Sequence, residues 1–203
     1  MEELVLQQLL DRANTLFRQL GVGFIHEEQL AAALDLTPAT FREQFGSKAE
    51  LLLAVTQRNL MRQRQEHEQL FANLATPAEC LLALLHHSLH ELRRSPHHDY
   101  HVMRARFPES WQHIQEYLVN YSQPLLVRLL QEGIQEGQFR ADVDARAIAH
   151  VILAQFSLVL NELFFPPDQV NLADVYRNIF APYVRGLCTT AGLRLVGPLF
   201  ERM

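Results

Sequence analysis

The run from residue 26 to 51, HEEQLAAALDLTPATFREQFGSKAEL, constrains this chain more than any other segment. Leu30, Ala31 and Leu34 give a short helix one apolar face, and Asp35-Leu36-Thr37 interrupts it. Thr37 is placed to cap a second helix, because its hydroxyl can accept from a backbone N–H that has no helical partner. Pro38 follows at the first helical position, where no N–H is needed and φ is already helical. Phe41 and Phe45, four apart, mark the buried side of that helix. Ala39, Thr40, Arg42, Glu43 and Gln44 remain for the exposed side. A short helix packed across another, showing a small polar face, has the geometry that enters a DNA major groove.

With the preceding LLDRANTLFRQLG, this segment resembles the N-terminal DNA-binding domain of the TetR family of bacterial regulators. Leu16, Phe17 and Gly21 match the family's LF-x-x-x-G helix ending; Thr37, Thr40, Phe45, Ser47, Lys48 and Leu51 match its second helix and the F-x-S-K-x-x-L that follows. The match covers roughly the first 55 residues. Four positions depart from the pattern: His26 and Glu27 replace a Ser or Thr and an apolar residue, Asp35 replaces the turn glycine, and Arg42 replaces a phosphate-contacting tyrosine. The resemblance implies an all-α protein. A three-helix helix-turn-helix domain (1–47) would precede a helical ligand-binding and dimerisation domain (48–203). It further implies a DNA surface made by His26, Thr37, Pro38, Ala39, Thr40, Arg42, Gln44 and Lys48.

Charge runs against that expectation. Residues 1–48 hold four basic and seven acidic side chains, a net of −3 where a polyanion should dock. DNA affinity is largely phosphate neutralisation. Lys48, Arg58, Arg62 and Arg64 make the start of the next helix more basic. The whole chain, 203 residues with a formal charge of −5, carries no general basic surface, so any DNA contact must be local.

Downstream, periodicity stays helical. Leu4, Leu6, Leu9, Leu10, Ala13, Leu16 and Phe17 form one face of a first helix ending at Gly21 and Gly23. Ser47 caps a long helix from Lys48 to Leu74 that buries Leu51, Leu52, Val55 and Leu60, with a solvated RQRQEHEQ half. Thr76-Pro77 opens another helix that Ser95-Pro96 stops. A short helix covers Tyr100 to Phe107, and a longer one runs from Glu109 to Glu136 with a kink at Pro124. Phe139 and Val143 anchor an extended link, and Asp144 caps an apolar helix over 145–164 that Pro166-Pro167 ends. A last long helix covers Leu172 to Thr190, and AGLRLVGPLFERM adds a short amphipathic piece. The apolar surplus of the two late helices exceeds what one core needs and suits a two-fold dimer interface. The resemblance implies the same.

Chemistry-bearing motifs are few. Ten histidines include His86, His87, His90, His97, His98 and His101, and His86 and His90 share a helical face. No third ligand is fixed by sequence, so a partly exposed His-rich helix is the expectation, no metal is assigned, and His97-His98-Asp99 reads as a capped turn. Cys80 and Cys188 lie in helical patterns as buried thiols. The chain shows no nucleophile elbow, Walker loop or HExxH pair, so no catalytic site and no cofactor are expected. Tyr100, Met103, Phe107, Trp111, Tyr117, Tyr121, Phe156 and Asn161 are the candidate walls of a small-molecule pocket, which the resemblance implies lies in this region. The acidic, amphipathic N-terminus suits neither a signal peptide nor a membrane anchor, so a cytoplasmic protein is expected.

The reading is a homodimeric, ligand-responsive transcriptional regulator, expected to repress, binding a pseudo-palindromic double-stranded operator and an unidentified effector. The competing reading is a helical receptor or protein-binding module whose helix-turn-helix no longer meets DNA.

Overall fold

The computed structural model describes residues 3–94, 100–161, 163–166 and 169–200. Eleven α-helices and one π-helical turn, and no strand, occur among them: α1 (Glu3–Leu20), α2 (Glu27–Ala33), α3 (Pro38–Phe45), α4 (Lys48–Phe71), α5 (Pro77–Arg94), α6 (Tyr100–Arg106), α7 (Pro108–Tyr117), the π turn (Leu118–Ser122), α8 (Gln123–Gln135), α9 (Ala145–Val159), α10 (Leu172–Leu187) and α11 (Thr190–Phe200). The expected stops at Ser95-Pro96 and at Pro167, and the turn at His97-His98-Asp99, fall outside the described residues. The chain folds as two compact units. One holds α1–α3, α4 as far as Gln63, α6 and α7 as far as Gln115; the other holds α4 from Arg64, α5 and everything from Glu116 onward.

In the first unit, Ala13, Phe17, Leu30, Leu34, Phe41, Phe45, Leu51 and Val55 make one apolar core with Phe107. The α2–α3 turn is a Schellman ending: Leu36 N donates to Ala31 O at 2.9 Å and Asp35 N to Ala32 O at 3.1 Å. Asp35 holds the left-handed position at φ 59°, where a glycine would carry no Cβ penalty. Arg12 compensates by donating to the Asp35 carboxylate at 2.7 Å and to Ala33 O at 2.6 Å, so α1 clamps the turn. The turn closes with Thr37 accepting from Thr40 N at 3.1 Å, Pro38 beginning α3 as its sequence demands.

The second unit packs α5 against α8, α10 and α11, and α9 against α8 and α10, around Leu81, Leu82, Leu89, Leu126, Leu130, Tyr176 and Phe180. Its polar knot is Gln138, almost fully buried. Its amide oxygen accepts from Ala78 N at the start of α5, and its backbone carbonyl accepts from Thr189 N between α10 and α11.

Several boundaries differ from the sequence reading. The helix expected over 145–164 ends at Val159 because Asn161 takes over: its carbonyl accepts from Phe165 N and its side chain from Leu163 N. The helix opened by Ser47 stops at Phe71 rather than Leu74, and that opened at Leu172 stops at Leu187. In the half expected to be solvated, His67 is buried. The break near Pro124 takes the form of the π turn, in which Gln123 N bonds back to Leu118 O; the wider loop accommodates a proline ring that lacks an N–H. Leu60 is half-buried rather than in the core.

Gly192 has the closest approach of the second unit's glycines. A Cβ placed there would lie 2.1 Å from Gln138 O, a backbone atom that cannot turn aside. Gly192→Ala should therefore cost about 2 kcal/mol or more, read as a lower urea midpoint; an unchanged midpoint would show that the α11 approach to Gln138 is not close.

Candidate nucleic-acid interface

The candidate reading helix is α3. Phe41 and Phe45 anchor it from below, their rings 5.5 Å apart, at 0% and 7% exposure. Its outward face carries Thr37, Pro38, Ala39, Arg42 and Glu43 exposed, with Thr40 and Gln44 half-buried. Thr40 Oγ1 lies 2.9 Å from Thr37 Oγ1, so the capping pair is mutually occupied. Gln44 Oε1 is buried and has no hydrogen-bond partner. Gly46, at φ 69°, turns the chain from α3 into α4, where Ser47 Oγ accepts from Glu50 N at 3.2 Å.

The cations around α3 are held by neighbours within the unit. Arg42 Nε donates to Glu27 Oε1 at 3.3 Å. Lys48 directs its ammonium to two carbonyls, Val22 O at 2.6 Å and Ile25 O at 2.5 Å, with the Phe107 ring 5.5 Å away. The ammonium expected to hold a phosphate thus ties the α1–α2 link to the start of α4, and meeting a phosphate would require leaving those carbonyls. Arg58 makes a two-pronged pair with Asp11, at 2.7 and 3.0 Å. His26 is exposed just ahead of α2, its backbone N–H donating to Gln29 Oε1 at 2.9 Å. Sequence marks Glu27 only as a departure. In the structure its second oxygen accepts from Lys48 N at 3.3 Å, so one carboxylate links α2, α3 and α4.

The eight candidate pocket residues divide between the units. In the first, Tyr100 meets Trp111 edge-on at 6.4 Å, Phe107 is a core residue and Met103 packs on that core. In the second, Tyr117 and Tyr121 lie 4.9 Å apart, Phe156 meets Tyr176 edge-on at 6.2 Å, and Asn161 serves the turn after α9. Two open recesses, of about 300 Å³ beside Arg12 and Thr15 and of about 430 Å³ beside Gln131 and Val143, contain none of the eight.

Tyr121 belongs to a polar cluster that sequence reasoning misses. Its hydroxyl lies 3.2 Å from His67 Nδ1, and its ring stacks on His67 while Arg64 sits over it. His87 meets His67 edge-on at 5.3 Å, and its Nε2 lies 3.4 Å from Glu66 Oε2 without hydrogen-bond alignment. His67 Nε2, His87 Nε2, Tyr117 Oη and Gln155 Oε1 are buried without hydrogen-bond partners. Burial pushes the Tyr117 phenol well above its ordinary value, keeping it neutral.

No family model matches the chain, and no curated protein matches it. Solved structures do. A TetR-family transcriptional regulator from Agrobacterium tumefaciens aligns with a TM-score of 0.75 at 17% identity, over 92% of this chain and 99% of that one. The fold is that of the TetR-family regulators. The fatty acid degradation regulator FadR from Bacillus halodurans gives 0.71 at 19% identity, over 92% and 98% of the two chains. SmeT, solved with triclosan, gives 0.69 at 21% identity, over 94% of each. No helix among the described residues is long and apolar enough to cross a membrane.

In this TetR-type fold His67 is a pH-sensitive weight on stability. Burial, with the neighbouring His87 adding to it, lowers its pKa from 6.5 to about 4. Between those values the unfolded chain takes up a proton that the folded chain refuses, so stability is full above pH 6.5 and falls toward pH 4. From pH 7 to 4.5 the protein should lose about 2 kcal/mol more than His67→Phe does, by urea unfolding at each pH. Parallel losses in the two proteins would remove His67 from the acid response.

Proposed function

We propose that the chain is a homodimeric, DNA-binding transcriptional regulator that responds to a small molecule and represses, rather than an enzyme. The observation that carries this is α3: a short helix, capped by Thr37 and Pro38 and anchored by Phe41 and Phe45, that turns Ala39, Thr40 and Arg42 outward. That is the presentation a major groove accepts. Arg42 suits guanine or phosphate, and Gln44 suits adenine once its amide turns outward. His26 sits where a phosphate contact would set register, whereas Lys48 acts chiefly by holding the domain in shape.

Exposed apolar side chains in the second unit support dimerisation. Val151 and Leu158 on α9, Leu163 and Phe164 beyond it, and Leu193 and Leu195 on α11 are all exposed. A two-fold dimer through α9 and these neighbouring apolar residues would place two copies of α3 on a pseudo-palindrome. The effector site is proposed in the second unit, around Tyr117 and Tyr121, where buried polar atoms without hydrogen-bond partners are groups a polar ligand would satisfy. The neighbours of this fold bind various ligands, so none is carried over. One observation favours the rival reading of a module without DNA contact: Arg42 and Arg58 already have carboxylate partners.

Selection of bound fragments from random duplex DNA decides between them. The expected outcome is enrichment of a two-fold symmetric motif, bound by a species sedimenting at twice the 23.4 kDa chain mass. No enrichment would favour the rival; enrichment of an asymmetric motif would keep the DNA contact and overturn the two-fold dimer.

A further inference from the structure

We propose that Glu27 is a built-in competitor of DNA phosphate, holding the guanidinium of Arg42 and thereby setting how tightly and how salt-dependently α3 binds a duplex. The proposal rests on the DNA-binding reading. Arg42 is the one basic residue of α3, in the sequence PATFREQF. Its side chain is 68% exposed on the outward face, so it is placed to meet a phosphate. Yet its Nε already donates to Glu27 Oε1, and Glu27 Oε2 accepts the backbone N–H of Lys48. Both oxygens of one carboxylate therefore engage donors that a phosphate oxygen would also seek, since a guanidinium and a helix-starting amide are both good anion partners. Glu27 is the first residue of α2, only 33% exposed, and is held at the junction of three helices rather than trailing in solvent.

The consequence follows from charge balance. With Glu27 in place, Arg42 brings no net positive charge to the duplex, and binding must displace one anion to seat another. An exposed pair of this geometry is weak, so displacement is feasible but diminishes the gain. Neutralising Glu27 releases one net cation per reading head. Each net phosphate contact contributes about 0.9 to the slope of log affinity against log salt, which corresponds to roughly a tenfold change in affinity at 0.1 M salt.

The test measures binding of the full-length protein to a fluorescent 30-base-pair random duplex by anisotropy, from low to moderate salt. Glu27→Gln keeps an amide oxygen able to accept from Lys48 N, and Glu27→Ala is the second variant should the first fail to fold. Expected are roughly tenfold tighter binding per head and a slope steeper by about 0.9 per head. In an Arg42→Gln background the same change should give no more than Glu28→Gln gives, because Glu28 is a neighbouring exposed charge on the same helix that measures the bulk effect. If the protein binds duplex and Glu27→Gln leaves affinity and slope unchanged or lower, the proposal is overturned while the DNA reading stands. A full gain persisting without Arg42 also overturns it, since Glu27 would then act only as background charge. If no variant binds duplex at any salt, the DNA reading falls and this proposal with it.

Discussion

The Lys48 ammonium, drawn onto the carbonyls of Val22 and Ile25, is the contact on which the arrangement of α2, α3 and α4 depends. It joins the link before α2 to the first residue of α4, and α3 lies between those two points in the chain. A half-buried ammonium without such acceptors would be costly, so the three segments are fixed together or not at all. The apolar core beneath, with Leu30, Leu34, Phe41, Phe45 and Leu51 all buried, then determines which face of α3 looks outward.

That arrangement shows how an acidic N-terminal unit can still hold a short helix with an outward polar face. Arg12 stabilises a left-handed aspartate, Arg58 holds Asp11 on α1, and Arg42 rests on Glu27. Each pair is local and exposed enough to be modest in energy. Together they link α1, α2, α3 and α4 by charge pairs. The geometry and the electrostatics that the proposed DNA contact needs are separable properties, and the capped, anchored α3 meets the first more fully than its carboxylate-paired cations meet the second.

The amino-acid sequence reveals the parts whose causes are local. Thr37-Pro38 and the Phe41/Phe45 interval are enough to define α3, and Asp144 announces α9 through a cap that does accept from Ala147 N. It is silent where the partner is a backbone atom or a distant ring. Lys48 reads as a phosphate contact because carbonyl acceptors leave no mark in a sequence. His67 sits in a polar run, and only Phe71, His87 and Tyr121 gathering around it bury it. The apolar run after Val159 continues to Phe165, but Asn161 competes for the backbone and ends the helix, a side-chain effect that periodicity does not register. The candidate pocket residues, marked out mainly by aromatic character, separate between two units because aromatic rings serve cores as readily as ligands.

The central claim is that the outward face of α3 meets the duplex. Titrating unlabelled duplex DNA into isotopically labelled full-length protein, with backbone amide NMR as the readout, tests it directly. The account predicts shifts concentrated from Thr37 to Gln44, with weaker ones at His26 and Glu27. Shifts that spare α3 while moving α9 or α11, or no shifts at saturating duplex, would contradict it.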